Sequence, residues 1–252
     1  MQLTDNTILI TGGGSGIGRG LAEAFHARGN SVIISGRRKD ALADVVAANP
    51  GMRAIALDIT DPASIAAAAE LLIAEYPKLN VLVNNAGIMP FDDVGGPLDD
   101  AVMHTILATN LLGPIRMTAA LVEHLKTQPR ASILNTTSVL AYVPLAGAAV
   151  YSATKAALHS YTLSLRFMLR NTSVGVQEIA PPWVDTDLVK KSGDPRAMPL
   201  ESFIRETMAG LAGNSEEIVV ERIRAIRDNP GAYEHALVNG FNESLVANPI
   251  PV

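Results

Sequence analysis

The chain contains no cysteine. Disulfides, thiolate catalysis and cysteine zinc sites are therefore excluded. Aromatic residues make up only 4%, with a single tryptophan, Trp183. Positive charge is also scarce: the formal net charge is −5 and the isoelectric point is near 5.5. Lysine and arginine form no block, so the electrostatic footprint of a nucleic-acid binder is missing. Arg222, Arg224 and Arg227 share their stretch with Glu216, Glu217 and Glu221, which reads as a solvated helix face. No apolar run approaches the roughly 20 residues that span a bilayer. The N-terminus lacks a basic segment leading into an apolar one. A soluble, cytoplasmic protein with no membrane or nucleic-acid partner is expected. His104, His124 and His159 have no carboxylate or histidine at ligand spacing, so no metal site is expected.

What the chain does have is apolar material, at 48% of 252 residues and a mean hydropathy of +0.22. Short β-rich runs stand at 7–10, 31–35, 53–57, 80–83, 131–136 and 174–179. Helical stretches lie between them, near 16–29, 39–48, 62–76, 99–127 and 152–171. Strands separated by helices imply right-handed crossovers and a mostly parallel sheet covered on both faces. Strands buried on both sides should be almost wholly apolar, as these are. The expectation is one α/β domain of three layers. Residues 1–186 would form its core, 187–214 a substrate lid and 215–252 two C-terminal helices.

The first strand runs straight into TGGGSGIGRG, with Gly12, Gly14, Ser15, Gly16, Ile17 and Gly18 opening a helix. Positions without side chains let the backbone turn sharply and approach a pyrophosphate. The helix N-terminus then offers unpaired N–H groups and the positive end of its dipole. The order is G-x-x-x-G-x-G, a variant of the usual dinucleotide fingerprint. After the second strand, Gly36 stands where an acid would hold a ribose hydroxyl, and Arg37 and Arg38 follow. A guanidinium suits a 2′-phosphate, so NADP(H) is favoured over NAD(H).

Further along come Asp58, NNAG at 84–87, Asn110, Ser138 and Y-x-x-x-K at Tyr151–Lys155. This ordered set, over residues 5–188, resembles the short-chain dehydrogenase/reductase family. The resemblance implies a Rossmann-type doubly wound sheet and hydride transfer between a nicotinamide and a ketone or secondary alcohol. It implies that Ser138 binds the substrate oxygen, Tyr151 is the acid/base, Lys155 lowers the tyrosine pKa and anchors the cofactor ribose, and Asn110 maintains a water relay. Tyr151 and Lys155 are four apart, on one helical face, and a cation near a phenol favours the phenolate. The family's cofactor contacts fall on Asp58, Asn84, Ala86, Gly87, Pro181, Val184 and Thr186. A helix-capping role for Asp58 or Asp61 is the competing reading.

APPWVDTDL departs from the family's P-G-x-V-x-T, with Pro182 in place of glycine. Trp183 either walls the substrate pocket or packs in the core. Leu140 and Leu188 are candidate substrate contacts, and a small to medium, largely apolar carbonyl or alcohol is expected. The apparent loss of a seventh strand weakens the case for a tetramer, whereas the helices at 99–127 and 152–171 could pair in a homodimer. Three stretches also resemble a bacterial subgroup named for the D-alanylation operon of lipoteichoic acid. Two alternatives remain: a cofactor-binding regulatory or scaffold protein, which would be expected to lose serine, tyrosine or lysine, and a serine hydrolase using Ser138, which lacks a G-x-S-x-G elbow.

Overall fold

Successive residues along a strand point to opposite faces, and here both faces are apolar. Ile8, Ile10, Val32, Ile34, Val81 and Val83 fill one core, and Leu9, Ile33 and Leu82 fill the other. The structure is a computed structural model that describes residues 1–189, 193–213, 215–229, 231 and 233–249. Parts of the expected lid (190–192 and 214) and of the expected C-terminal helices (230, 232 and 250–252) lie outside the described residues.

Seven parallel strands form one sheet: β1 Thr7–Thr11, β2 Ser31–Gly36, β3 Arg53–Ala56, β4 Leu79–Asn84, β5 Ala131–Thr136, β6 Val174–Ala180 and β7 Glu217–Val219. Their order is β3-β2-β1-β4-β5-β6-β7. The order reverses direction between β1 and β4, and a crevice at the strand C-termini is the usual ligand site there. On one face lie α1 (Gly16–His26), α2 (Lys39–Ala48) and α7 (Leu200–Ala212), anchored by Leu21, Phe25, Leu42, Val45, Phe203 and Leu211. On the other lie α3 (Pro62–Glu75) and α5 (Gly113–Thr127), which bury Ile65, Leu72, Met117 and Leu121. α6 (Ala149–Leu169) packs beside β6 and adds Leu169 to that second core.

The expected helix at 99–127 forms as α4 (Asp100–Leu107), a π turn at Ala108–Leu112 and α5. Asp99 caps it through the N–H groups of Ala101 and Val102. Asp61, not Asp58, caps α3, accepting from the Ala63 N–H. By length and composition alone Asp100–Thr127 is long and apolar enough to cross a membrane. Ile106, Met117, Leu121 and Leu125 are nevertheless buried in the protein.

The C-terminal expectation needs correction. Residues 215–229 are not one helix: β7 extends the sheet, pairing Glu217–Val219 with Glu178–Ala180. A 3-10 turn at Glu221–Ile223 and the short α8 (Arg224–Arg227) follow, and α9 (Glu234–Ala247) is the last described helix. Three residues of strand among glutamates and arginines carry too little alternation to be told from a helix end. The seventh strand, whose apparent loss weakened the tetramer reading, is therefore present.

Candidate active site

The glycine turn is made by close approach of main chain. Gly12 has φ +69°, and a Cβ there would lie 2.9 Å from the Ala86 Cα. A Cβ on Gly18 would lie 2.3 Å from the Gly12 carbonyl oxygen, so any side chain would push α1 off β1. Ser15, the N-cap of α1, makes no side-chain capping bond; its hydroxyl accepts from Arg38 Nη2 at 2.7 Å. Thr11 ties the turn to NNAG, its hydroxyl accepting from the N–H groups of Asn85 and Ala86 at 3.0 and 3.1 Å.

A cavity of about 610 Å³ runs along the strand C-termini from this turn. Gly12, Gly14, Ser15, Gly16, Ile17, Gly18, Arg37, Ala86 and Gly87 line it at one end. Ser138, Leu140, Tyr151, Lys155, Pro181, Trp183, Val184, Thr186 and Leu188 line it further along. Trp183 thus walls the pocket. Asp58, Asn84 and Asn110 are not among the lining residues. The Asp58 carboxylate turns back to the N–H and hydroxyl of Thr60, at 2.9 and 2.7 Å, and those bonds hold it below the usual carboxylate range. Asn84 bonds Thr118 and Asn135 within the core.

Asn110 sits in the π turn, a distortion frequent at functional sites. Its amide brackets Ile88, accepting from the N–H at 2.9 Å and donating to the carbonyl at 2.8 Å. Asn110 Oδ1 and Lys155 Nζ both lie against Gly87, 3.4 and 3.8 Å from where its Cβ would stand. Lys155 donates to the Thr136 carbonyl at 2.8 Å, and its Nζ is 5.5 Å from the Tyr151 ring centre. Ser138 caps the turn after β5 and shares a hydrogen bond with Tyr151.

The tyrosine's acidity differs from the expectation. Burial pushes the Tyr151 phenol up to about 12, and the Ser138 bond only partly opposes this. Burial also brings Lys155 down to about 8, against the field of Glu178. Desolvation disfavours the charged form of both groups, and for the chain's own residues it outweighs their proximity.

Arg38 and Met89 also line the cavity, whereas sequence reasoning missed Asn85, Arg196, Arg222, Ile226, Phe241 and Leu245. Asn85 lay within the quoted NNAG, but the others carry no motif. Arg222 reaches the cavity, and Arg227 pairs with Glu217 at 2.8 Å, so neither is a plain solvated charge. The histidine reading is also corrected: His159 pairs with Glu178 of β6 at 2.8 Å and His104 with Asp100 at 3.2 Å. His159, Glu178 and Glu217 bring donor atoms within 4.8 Å of one another, but Arg227, Thr137 and Tyr142 already take up the carboxylates. No histidine is among the described lining residues.

The donor set suits a dinucleotide. Buried hydroxyls of Ser35, Thr109 and Thr136 and the Trp183 indole N–H have no hydrogen-bond partner, and all four residues line the cavity. Buried polar atoms are seldom left so, and a long polar ligand would satisfy them.

Comparison with known proteins agrees with this geometry. The family described as short chain dehydrogenase matches residues 6–197. The chain is 43% identical over 234 residues to an uncharacterized oxidoreductase, DltE, of Bacillus subtilis, covering 90% of this chain and 93% of that one. A short chain dehydrogenase from Burkholderia cenocepacia, solved in complex with NADP, superposes with a TM-score of 0.79 at 27% identity over all of both chains. A family member from Burkholderia phymatum, in complex with NAD, reaches 0.82 at 23% identity, covering 90% of this chain and 94% of that one. The chain belongs to the short-chain dehydrogenase family and is an oxidoreductase of that family.

Proposed function

We propose that the protein interconverts a carbonyl compound and its alcohol using NADP(H). One observation carries the reading: Ser138, Tyr151 and Lys155 line the same cavity as the glycine turn. When bound, the cofactor donates or accepts the hydride. The chain supplies the rest. Ser138 Oγ donates to the carbonyl oxygen and orients it. Tyr151 Oη gives its proton to that oxygen in reduction and takes it back in oxidation, a contribution of about 10²- to 10⁴-fold. Lys155, as its ammonium, stabilises the phenolate left behind. Asn110, which holds Ile88 and lies with Lys155 against Gly87, keeps the relay that returns the proton.

Gly12, Gly14, Ser15, Gly16, Ile17 and Gly18 would hold the pyrophosphate, Ala86 and Gly87 the ribose, and Pro181, Val184 and Thr186 the carboxamide. Asp58 and Asn84 act on the cofactor through the strand ends they fix. Arg37 and Arg38 line the adenosine end, and two guanidinium groups suit the 2′-phosphate of NADP(H) better than the bare ribose of NAD(H). Leu140, Trp183 and Leu188, with Met89 and Phe241, favour an apolar ketone. Exposed Leu163, Phe167 and Met168 on α6 support pairing of this helix in a homodimer. A panel of ketones and aldehydes assayed with NADPH and NADH tests the reading. At least one apolar ketone should consume NADPH, about tenfold faster than NADH. No consumption of either, with no cofactor binding by fluorescence, would overturn it.

A further inference from the structure

Beside the reacting side chains lies a charged cluster that the chemistry above does not use. Glu178 of β6 is fully buried, at 0% exposure. A buried carboxylate is tolerated when it is paired and hydrogen-bonded, and the partners here are specific. Glu178 Oε1 accepts from Thr137 Oγ1 at 2.6 Å, and Oε2 lies 2.8 Å from His159 Nδ1. The Tyr142 hydroxyl reaches Oε1 at 3.4 Å and also bonds Glu217, which Arg227 pairs.

Thr137 stands between the two residues that matter at the end of β5. Thr136 presents the carbonyl that holds Lys155, and Ser138 presents the hydroxyl. His159 follows Lys155 by one turn of α6, the helix that also carries Tyr151. One carboxylate thus joins the two elements bearing all three reacting side chains. We propose that Glu178 is a positioning residue: it clamps the Thr136–Ser138 segment to α6 through Thr137 and His159, and so sets its carboxylate against a side chain one helical turn from Lys155. This rests on the oxidoreductase reading of Ser138, Tyr151 and Lys155.

The charges around it set the expected signs. Glu178 favours the ammonium of Lys155 and holds the His159 imidazole protonated to higher pH, with Glu217 acting the same way and Arg227 against. The test uses full-length Glu178→Gln, which keeps the shape and loses the charge, and Thr137→Val, which loses only the clamp. The Lys155 ammonium is titrated by ¹⁵N NMR, assigned with Lys155→Arg, and pH–rate profiles are recorded for carbonyl reduction. In Glu178→Gln, Lys155 should titrate about one pH unit lower, the alkaline limb should move with it, and kcat should fall about tenfold. In Thr137→Val, kcat should fall several-fold with the limb unmoved. A folded Glu178→Gln protein with an unmoved Lys155 titration and unchanged kcat would overturn the proposal. If Glu178→Gln does not fold, wild-type kcat in both Thr137→Val and His159→Gln would overturn it. A wild-type protein that turns over no carbonyl would sink the proposed roles of Ser138, Tyr151 and Lys155 instead, and the Lys155 titration would still decide whether Glu178 acts on it.

Discussion

The two ends of the cavity are built from different material. The glycine end is main chain packed on main chain: Gly18 stands so close to the Gly12 carbonyl that no Cβ fits. The reaction end is made of side chains brought from β5, α6, the segment after β6 and the C-terminal helices. A site cut from backbone tolerates few residue types and so leaves a mark in the sequence. A site lined by ordinary side chains leaves little. Under the proposed function the first end holds the cofactor that every substrate shares, and the second is free to choose the substrate.

Breaking each end separately sharpens that contrast. Gly18→Ala should have the largest effect, because the added methyl meets a carbonyl 2.3 Å away that cannot move without shifting β1. NADPH affinity should drop more than about 100-fold by fluorescence titration, with thermal stability lowered by about 1–3 kcal/mol. The second test is pH. Lys155 falls to about 8 from an ordinary 10.5, so its ammonium predominates in neutral solution, is complete only in mildly acidic solution, and is lost as pH rises through 8. The reduction rate should decline over the same window, and Lys155→Met should remove that limb along with most activity. Third, Arg37→Asp should weaken NADPH binding about 10- to 100-fold, the loss of one or two charged hydrogen bonds, and leave NADH nearly unaffected. Equal losses would place the 2′-phosphate elsewhere. Smallest, Phe241→Ala should raise the KM for a ketone by about fivefold, roughly 1 kcal/mol of apolar contact, with cofactor affinity unchanged.

The same contrast governed what could be read from the sequence. Strand β5 was legible to its last residue, and the glycine turn, Ser138, Tyr151 and Lys155 all fell along one cavity, because their spacing is dictated by main-chain geometry or a helical turn. Asp58 illustrates a limit: its position after β3 was legible, but its carboxylate turned to Thr60 and not to the cavity. The strand at Glu217–Val219 escaped because tertiary pairing with Glu178–Ala180 overrode its charged surroundings. The pair His159–Glu178, 19 residues apart, exists only once α6 packs on β6. Tyr151 shows the subtlest gap: the lysine beside it was visible in the sequence, whereas the burial that raises its pKa is a property of the fold.

The most direct test of the central claim is Tyr151→Phe, assayed by single turnover with NADPH and a ketone that the wild-type protein reduces. The hydroxyl is the proton donor in this account, and its removal leaves the glycine turn untouched. NADPH should bind within about twofold of wild type, and the rate should fall about 10²- to 10⁴-fold. A folded variant that binds NADPH and reduces the ketone at the wild-type rate would contradict the account.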